Sequence, residues 1–310
     1  MTGAVRGHLA MLCFSALVAG SFSLGGMAAP FIAPEALNAV RFLIAASVLG
    51  AAAWATGAVP RTALAAPWRY FVLAALFVFY FVTMFEGLRT AEPVSMAAVF
   101  TLTPILAGGF GWLLLRQVTT PRMALALGIG GTGALWVIFR ADLSAAIAFE
   151  IGRGETIYFW GCLAHALYIP MLRLLSRGEP ALIFNAGILA AGTVLLFIYG
   201  AGSMIRTEWA ALPAIVWIAL AYTAIPATAL TVPLLRFGSL NLPSAKVMAY
   251  TYLTPSWVLV WELALGHGAP RGLVLVGVAM TVIALLMLLR DEEAPASVNP
   301  AAERKTTSRS

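Results

Sequence analysis

The amino-acid sequence predicts an all-α integral membrane protein whose ten transmembrane helices form two inverted five-helix repeats. Of its 310 residues, 61% are hydrophobic and only 10% are charged, whereas roughly a quarter of the residues of a soluble domain are charged. The apolar residues form ten runs of about 20 residues, the length that a helix needs to cross the hydrocarbon core. The triplet Leu102-Thr103-Pro104 also recurs as Leu253-Thr254-Pro255, almost half the chain later.

The ten predicted spans are separated mostly by short joints that contain Pro, Gly or charge. They lie at 8–27, 33–57, 67–88, 93–115, 121–139, 155–176, 181–200, 212–236, 243–265 and 268–290. Each run is much longer than a barrel strand and lacks strict alternation, so helices are predicted. Two longer connectors, 140–155 and 200–212, have room for a short surface helix.

The repeated triplet predicts how the spans are organised. Each copy lies in the fourth span of a five-span half, and an odd number of spans makes the second half enter the membrane from the opposite side. Inverted repeats of this kind are the architecture of secondary transporters. The predicted boundaries are a first repeat at 1–140, a periplasmic connector at 141–154, a second repeat at 155–290 and a disordered cytoplasmic tail at 291–310. Pro104 and Pro255 remove helical hydrogen bonds and are predicted to bend or gate their helices.

The distribution of Lys and Arg predicts the orientation. With the N-terminus inside, the cytoplasmic ends carry thirteen of these residues and the opposite ends carry six. Short loops rich in Lys and Arg stay in the cytoplasm, so both termini are predicted to be cytoplasmic in a multi-pass inner-membrane protein. The net charge of +6 then reflects topology and indicates no nucleic-acid partner.

Motifs for enzymatic or metal chemistry do not occur where they could function. The sequence has no suitably placed acidic pair, His-x-x-Glu spacing, nucleophile elbow or phosphate-binding Gly loop. Cys13 and Cys162 fall inside apolar runs, where lone thiols are usually packing residues. The glycines at 128, 130, 131 and 133 predict close helix packing. No metal, cofactor or enzymatic activity is therefore expected.

Three segments resemble the drug/metabolite transporter superfamily with its paired EamA-type domains. They are ALNAVRFLIAAS in the second span, LTPILAGGFGWLLL in the fourth and LTPSWVLVWELALG in the ninth. The resemblance covers about residues 8–290 and is greatest to the YddG-type exporters of aromatic and other neutral amino acids. It implies alternating-access transport of small organic solutes. Many members end the fourth and ninth spans with Gly-Glu, where this chain has Arg116-Gln117 and Gly266-His267, so no role of that glutamate is carried over.

Polar groups inside spans are costly and are therefore candidate substrate ligands. His165 and Tyr168 share one helix face, as do Lys246 and Tyr250, because residues three or four apart are neighbours on a helix. Tyr80 adds an aromatic wall to the predicted substrate-binding set. Three alternatives remain open: His165 as a bridge between helices, Lys246 extending to the interface, and Tyr80 facing lipid or packing in the core.

Four other polar residues have different predicted roles. Arg41 and Asn185 are expected to bridge helices, whereas Glu86 and Glu262 lie near the outer ends of their spans. Because no carboxylate is deep, obligatory proton coupling through a buried carboxylate is not expected.

The predicted function is secondary export of amino acids by a monomer, with a small-molecule substrate and membrane lipid as partners. Export of another small metabolite or a drug within the same superfamily is the alternative. An intramembrane enzyme, with Ser21 or Ser95 beside His165, and a non-transporting scaffold are remote alternatives that no motif supports.

Overall fold

The structure is a computed structural model that describes residues 3–55, 63, 65–118, 120–139, 141–148, 151–268 and 272–289. Within these ranges all regular structure is helical. The α-helices are α1 (Gly3–Ala28), α2 (Pro34–Ala55), α3 (Trp68–Gly87), α4 (Pro93–Phe100), α5 (Thr103–Leu115), α6 (Pro121–Ile138), α7 (Leu143–Ala148), α8 (Arg153–Leu175), α9 (Ala181–Arg206), α10 (Ala214–Ala224), α11 (Thr231–Asn241), α12 (Ser244–Ala249), α13 (Thr254–Ala264) and α14 (Val274–Leu289).

Among the described residues, eight helical segments are long and apolar enough to cross a membrane. They are Val5–Ala28, Pro34–Ala55, Trp68–Gly87, Pro93–Leu115, Pro121–Ile138, Arg153–Leu175, Ala181–Arg206 and Ala214–Asn241. They correspond to the first eight predicted spans and confirm a multi-pass membrane protein. The predicted ninth span is divided between α12 and α13, and the tenth corresponds to the shorter apolar helix α14. The predicted tail at 291–310 lies outside the described residues.

The two longer connectors differ from each other. The first contains the short helix α7, as its length allows. In the second, α9 continues to Arg206 and is followed by a single 3-10 turn at Trp209–Ala211. The apolar run therefore extends further than the sequence boundaries suggested.

Both Leu-Thr-Pro triplets coincide with interrupted helices. Pro104 lies in the first turn of α5, after a break at residues 101–102. Pro255 lies in the first turn of α13, after the 3-10 turn Tyr250–Leu253. Proline is tolerated in a first turn because that position needs no N–H donor. A third interruption, which the sequence reading did not predict, is the π-helical turn Ile225–Leu230 between α10 and α11.

Glycine permits a close contact between helices α6 and α14. A Cβ on Gly133 would lie 2.7 Å from the carbonyl oxygen of Gly277, and a Cβ on Gly277 would lie 2.6 Å from that of Gly133. Any side chain at either position would clash with backbone, so this contact requires glycine. The predicted close packing is confirmed at Gly130, Gly131 and Gly133, whereas a Cβ on Gly128 would meet nothing within 4 Å.

The two interrupted segments pack against each other in opposite directions. α5 packs on α12, while α4 packs on α13. Thr103 Oγ1 lies 3.3 Å from Thr251 Oγ1. Further along α5, the side-chain oxygen of Gln117 accepts a hydrogen bond from the backbone N–H of Ser244 at 3.0 Å. From Thr103 to Gln117 the residue numbers rise along the first segment, while those of their partners fall from Thr251 to Ser244. The two segments are therefore antiparallel.

Candidate functional site

A cluster of eight rings fills the space between α1, α3, α4 and α8; we call it the ring cluster. It consists of Phe22, Phe77, Tyr80, Phe81, Phe100, Tyr158, His165 and Tyr168. All eight side chains are buried. The ring cluster brings together three of the five predicted substrate-binding residues.

His165 lies at the centre of the ring cluster. Its ring stacks on Tyr80 at 4.3 Å between centroids with an interplanar angle of 24°. Tyr168 stacks on Phe77 at 4.9 Å and 7°. Tyr158, His165 and Tyr168 project together from α8 because their spacings of seven and three residues return to one face of a helix.

Several polar atoms of the ring cluster have no protein partner. The Tyr158 hydroxyl donates to the Tyr80 hydroxyl at 3.1 Å. In contrast, both ring nitrogens of His165 and the hydroxyl of Tyr168 lack hydrogen-bond partners among the described residues. A buried polar group without a partner costs about 1–3 kcal/mol. These atoms can therefore gain free energy from a polar ligand, which favours a binding role over a His165 bridge between helices.

The other two predicted ligands lie in a different group. The hydroxyl of Tyr250 lies 3.0 Å from Nδ1 of His8, near the start of α1. Lys246 is also buried, one turn earlier in α12. The structure therefore places Tyr250 against His8, at the end of the bundle where α1 begins, and Lys246 precedes Tyr250 by one helical turn.

Arg41 is fully buried in α2 beside the ring cluster. Its Nε donates to Oγ1 of Thr228 at 2.8 Å, within the π-helical turn, and its guanidinium carbon lies 3.7 Å from the centre of the Phe81 ring. The predicted bridging role of Arg41 is thus confirmed. For Asn185 the same prediction is wrong, because neither atom of its buried amide has a hydrogen-bond partner among the described residues.

A buried charged network closes the end of the bundle where α3 begins; we call it the Arg69 network. Arg69 Nη2 lies 2.6 Å from Glu179 Oε1, and both side chains are 0% exposed. Arg236 donates from Nη2 to Ser176 Oγ and to the Glu179 carbonyl, both at 2.9 Å. Burial raises the pKa of Glu179, but hydrogen bonds from the backbone N–H of Arg177 and from Arg69 outweigh it, so the pKa is lowered overall.

The opposite end of the bundle contains two clefts. One, of about 430 Å³, lies between the end of α1, the 88–93 turn and the Glu262–His267 pair. Glu262 Oε2 lies 2.8 Å from His267 Nδ1. The other cleft, of about 460 Å³, lies between residues 31–33 and the connector that follows α9.

Sequence reasoning missed several members of the ring cluster. Tyr158 lies seven residues before His165, and Phe77 lies three before Tyr80. These helical spacings were available signals. Phe100 offered no such signal, because its place depends on the break between α4 and α5.

The eight apolar helical segments and the buried polar and aromatic cluster among them indicate a multi-pass membrane protein with a candidate site between its helices. The sequence profile of the EamA-like transporter family matches this chain twice, at residues 5–139 and 152–290. The chain therefore belongs to the EamA-like transporter family and is a membrane transporter.

Two further comparisons agree with this assignment. The chain is 23% identical over 261 residues to "Uncharacterized transporter YyaM" of Bacillus subtilis (strain 168), covering 84% of this chain and 86% of that protein. A solved crystal structure superposes with a TM-score of 0.70 at 21% identity, covering 92% of this chain and 96% of the other. The latter similarity shows a shared fold.

Proposed function

We propose that this transporter exports neutral amino acids, aromatic ones among them, across the inner membrane by alternating access. The observation that carries the proposal is the composition of the ring cluster. Its rings come from α1, α3 and α4 in the first family-matching segment and from α8 in the second. A site between repeats is where alternating-access carriers bind their substrates.

The chemistry of the ring cluster suits a partly apolar substrate. Tyr and Phe rings stack on an aromatic or aliphatic side chain, and the unpartnered atoms of His165 and Tyr168 satisfy polar groups. The rings contact one another directly, so the substrate enters when α3 and α8 move apart.

Lys246 and Tyr250 form an approach to the site from the end where α1 begins, and Lys246 attracts a substrate carboxylate there. Pro104 and Pro255 lie at helix breaks suited to pivoting.

The architecture proposed for this activity is ten spans in two inverted repeats, at 1–140 and 155–290, joined by the connector 141–154. Three features support it: the antiparallel packing of the two interrupted segments, the reciprocal glycine contact between α6 and α14, and the double match to the family profile. The protein functions as a monomer in this proposal. α14 and the divided segment 244–264 are the tenth and ninth spans.

The proposed orientation has both termini in the cytoplasm. The Arg69 network then closes the cytoplasmic face, and both clefts open outward. A Cys introduced at exposed Ser144 should react with a membrane-impermeant maleimide from outside, whereas one at Ser308 should react only after permeabilisation. The opposite labelling pattern contradicts the orientation.

The transport activity is tested by efflux of radiolabelled phenylalanine from proteoliposomes. Tyr168→Ala should change the relative rates for phenylalanine, leucine and alanine, because it removes a ring of the site. Tyr199→Ala is the matched control, since Tyr199 is 70% exposed on α9. Absence of amino-acid transport by the wild-type protein, or equal effects of both variants, contradicts the proposal.

The energy source is proposed to be the substrate gradient alone. Glu262 and Glu86 lie at the outer end, and neither belongs to the ring cluster. An imposed pH gradient should therefore leave the final level of phenylalanine unchanged. Accumulation of phenylalanine against its own gradient, driven by protons, contradicts this and makes His165 the first candidate for coupling.

A further inference from the structure

Arg41 is a buried cation with a vacant donor. Its side chain is 0% exposed, and its Nη1 has no hydrogen-bond partner among the described residues. The other contacts of the guanidinium are to neutral groups: Thr228 Oγ1 at 2.8 Å, the Ala227 carbonyl at 3.5 Å and the Phe81 ring. Arginine remains protonated in proteins, so α2 carries a buried positive charge there that has no counter-ion among the residues the structure describes.

Four carboxylates among the described residues already have partners other than Arg41. They form the pairs Glu35–Ser203, Glu155–Ser95, Glu179–Arg69 and Glu262–His267. None of the ion pairs found among the described residues includes Arg41. An unpaired buried charge is strongly destabilising unless another group compensates it, so Arg41 is costly unless it has a ligand.

The vacant donor lies at the edge of the candidate site. The Arg41 guanidinium stacks on Phe81, whose ring lies 4.8 Å from that of Tyr80 and 4.7 Å from that of Phe77. Tyr80 in turn stacks on His165. A substrate among these rings would have its polar end within the range of Arg41.

We propose that Arg41 binds the carboxylate of the transported substrate through Nη1, while the ring cluster receives the rest of the molecule. This inference rests on the proposed function. It names the residue that binds the substrate carboxylate and limits the substrates to molecules with a single carboxylate. The carboxylate of the substrate pairs with the vacant cation, and where the substrate is a zwitterion its ammonium group lies against the ring faces, which attract cations. A phosphate dianion would leave an uncompensated charge in the membrane interior, which is costly.

The structural contacts of Arg41 do not compete with this role. Nε and Nη2 hold α2 against the π-helical turn, where Thr228 also donates to the Thr223 carbonyl at 2.7 Å. They orient the fork of the guanidinium and leave Nη1 for the ligand. Removal of Thr228 Oγ1 therefore weakens the bridge but retains the charge, which separates the two roles of Arg41.

The test compares phenylalanine with phenylalaninamide, which lacks the carboxylate, by ligand-induced thermal stabilisation of the full-length protein in detergent. Wild type should bind phenylalanine about tenfold or more tightly than the amide, since a hydrogen bond to a charged group contributes about 1.5–3 kcal/mol. Arg41→Gln should bind both ligands alike. Arg41→Lys should keep part of the preference, because it keeps the charge without the fork.

Thr228→Val is the comparison variant: it keeps the charge and loses one contact that orients the guanidinium, so it should retain more of the preference for phenylalanine than Arg41→Gln does, at a lower melting temperature. Retention of the full preference for phenylalanine by Arg41→Gln overturns the inference. A parallel loss for both ligands in Arg41→Gln and Thr228→Val also overturns it, because that pattern indicates a purely structural arginine.

A second pair of probes separates this inference from the proposed function. If wild type neither binds nor transports any amino acid, the proposed function fails, and benzoate is compared with benzamide instead. Stabilisation of wild type, but not of Arg41→Gln, by benzoate alone supports the carboxylate site. Equal responses of the two proteins overturn it, as does an Arg41-dependent preference for inorganic phosphate over benzoate.

Discussion

The two ends of the bundle use similar charged groups in different ways. At one end, Arg69 and Glu179 form an ion pair of 2.6 Å with both side chains 0% exposed. At the other end, Glu86 and Arg89 form a pair of 3.2 Å with side chains 34% and 49% exposed. The first pair joins α3 to the turn before α9, whereas the partners of the second pair are only three positions apart in the sequence.

This difference determines how each end can move. Arg236 extends the Arg69 network to α11 through Ser176 and the Glu179 carbonyl, so the helices at that end separate only if buried polar contacts break. The Glu262–His267 pair at the other end is also local. Helices there can separate with both local pairs intact, although the hydrogen bonds that join Ser95 to Glu155, at 2.7 Å, and Ser203 to Glu35 must then break. In the alternating-access cycle that we propose, opening the Arg69 end is the costlier half, because it breaks an ion pair between two fully buried charges, whereas the other end loses hydrogen bonds from neutral hydroxyls.

The largest expected effect comes from breaking the buried pair. Glu179→Ala leaves Arg69 as an uncompensated buried charge, which costs about 3–5 kcal/mol. The free energy of unfolding is measured by denaturant titration in mixed micelles. The double variant Arg69→Met, Glu179→Leu should regain much of the lost stability, because apolar replacements remove both desolvated charges. A double variant as unstable as Glu179→Ala contradicts this account.

Acidification should weaken the same end. The pKa of Glu179 is lowered by folding, so its contribution to stability is present above the unfolded-state pKa of about 4.3. It is lost as the pH falls below that value through the lower folded-state pKa. The stability difference between wild type and Glu179→Gln should be constant from about pH 7 to pH 5 and shrink below about pH 4. A difference that grows on acidification contradicts the sign.

The sequence predicted most of the fold because membrane insertion depends on local composition. Spanning length and apolar content are properties of each segment by itself, and eight of the predicted spans appear as long apolar helices. The π-helical turn Ile225–Leu230 was not predictable in this way. Pro226 within it signals a disturbed helix, but not the contact that the turn makes with Arg41, whose hydrogen bond to Thr228 crosses 187 residues of chain.

The spacing rule predicted residues of the candidate site where they share one face of a single helix. His165 and Tyr168 lie on a single helical face, and the structure places both in the ring cluster with Tyr80. Lys246 and Tyr250 were assigned by the same spacing rule, but the partner of Tyr250 is His8 of α1, which lies 242 residues away in the sequence. The pairing of Arg69 with Glu179 was equally out of reach, since the sequence marks Arg69 only as a topology charge.

A smaller effect is expected at the local pair that lines the outer cleft. His267 is 42% exposed and lies 2.8 Å from Glu262. Because solvent screens a half-exposed pair, His267→Gln should lower the free energy of unfolding by less than about 1 kcal/mol. Denaturant titration checks it beside Glu179→Ala. A loss of several kcal/mol would mean that this end is cross-linked as firmly as the Arg69 end.

The smallest effect is expected for Glu86→Gln. The pair with Arg89 is an exposed i,i+3 contact, and such pairs contribute about 0.2–0.5 kcal/mol. Glu86 also lies in the last turn of α3, where the negative end of the helix dipole opposes a carboxylate. These effects nearly cancel, so the free energy of unfolding should change by no more than about 0.5 kcal/mol. Arg89→Gln should cost slightly more, because it removes a cation that the helix end favours, and added salt should reduce both changes. A cost for Glu86→Gln comparable to that of Glu179→Ala would show that burial and cross-linking are not what distinguish the two ends.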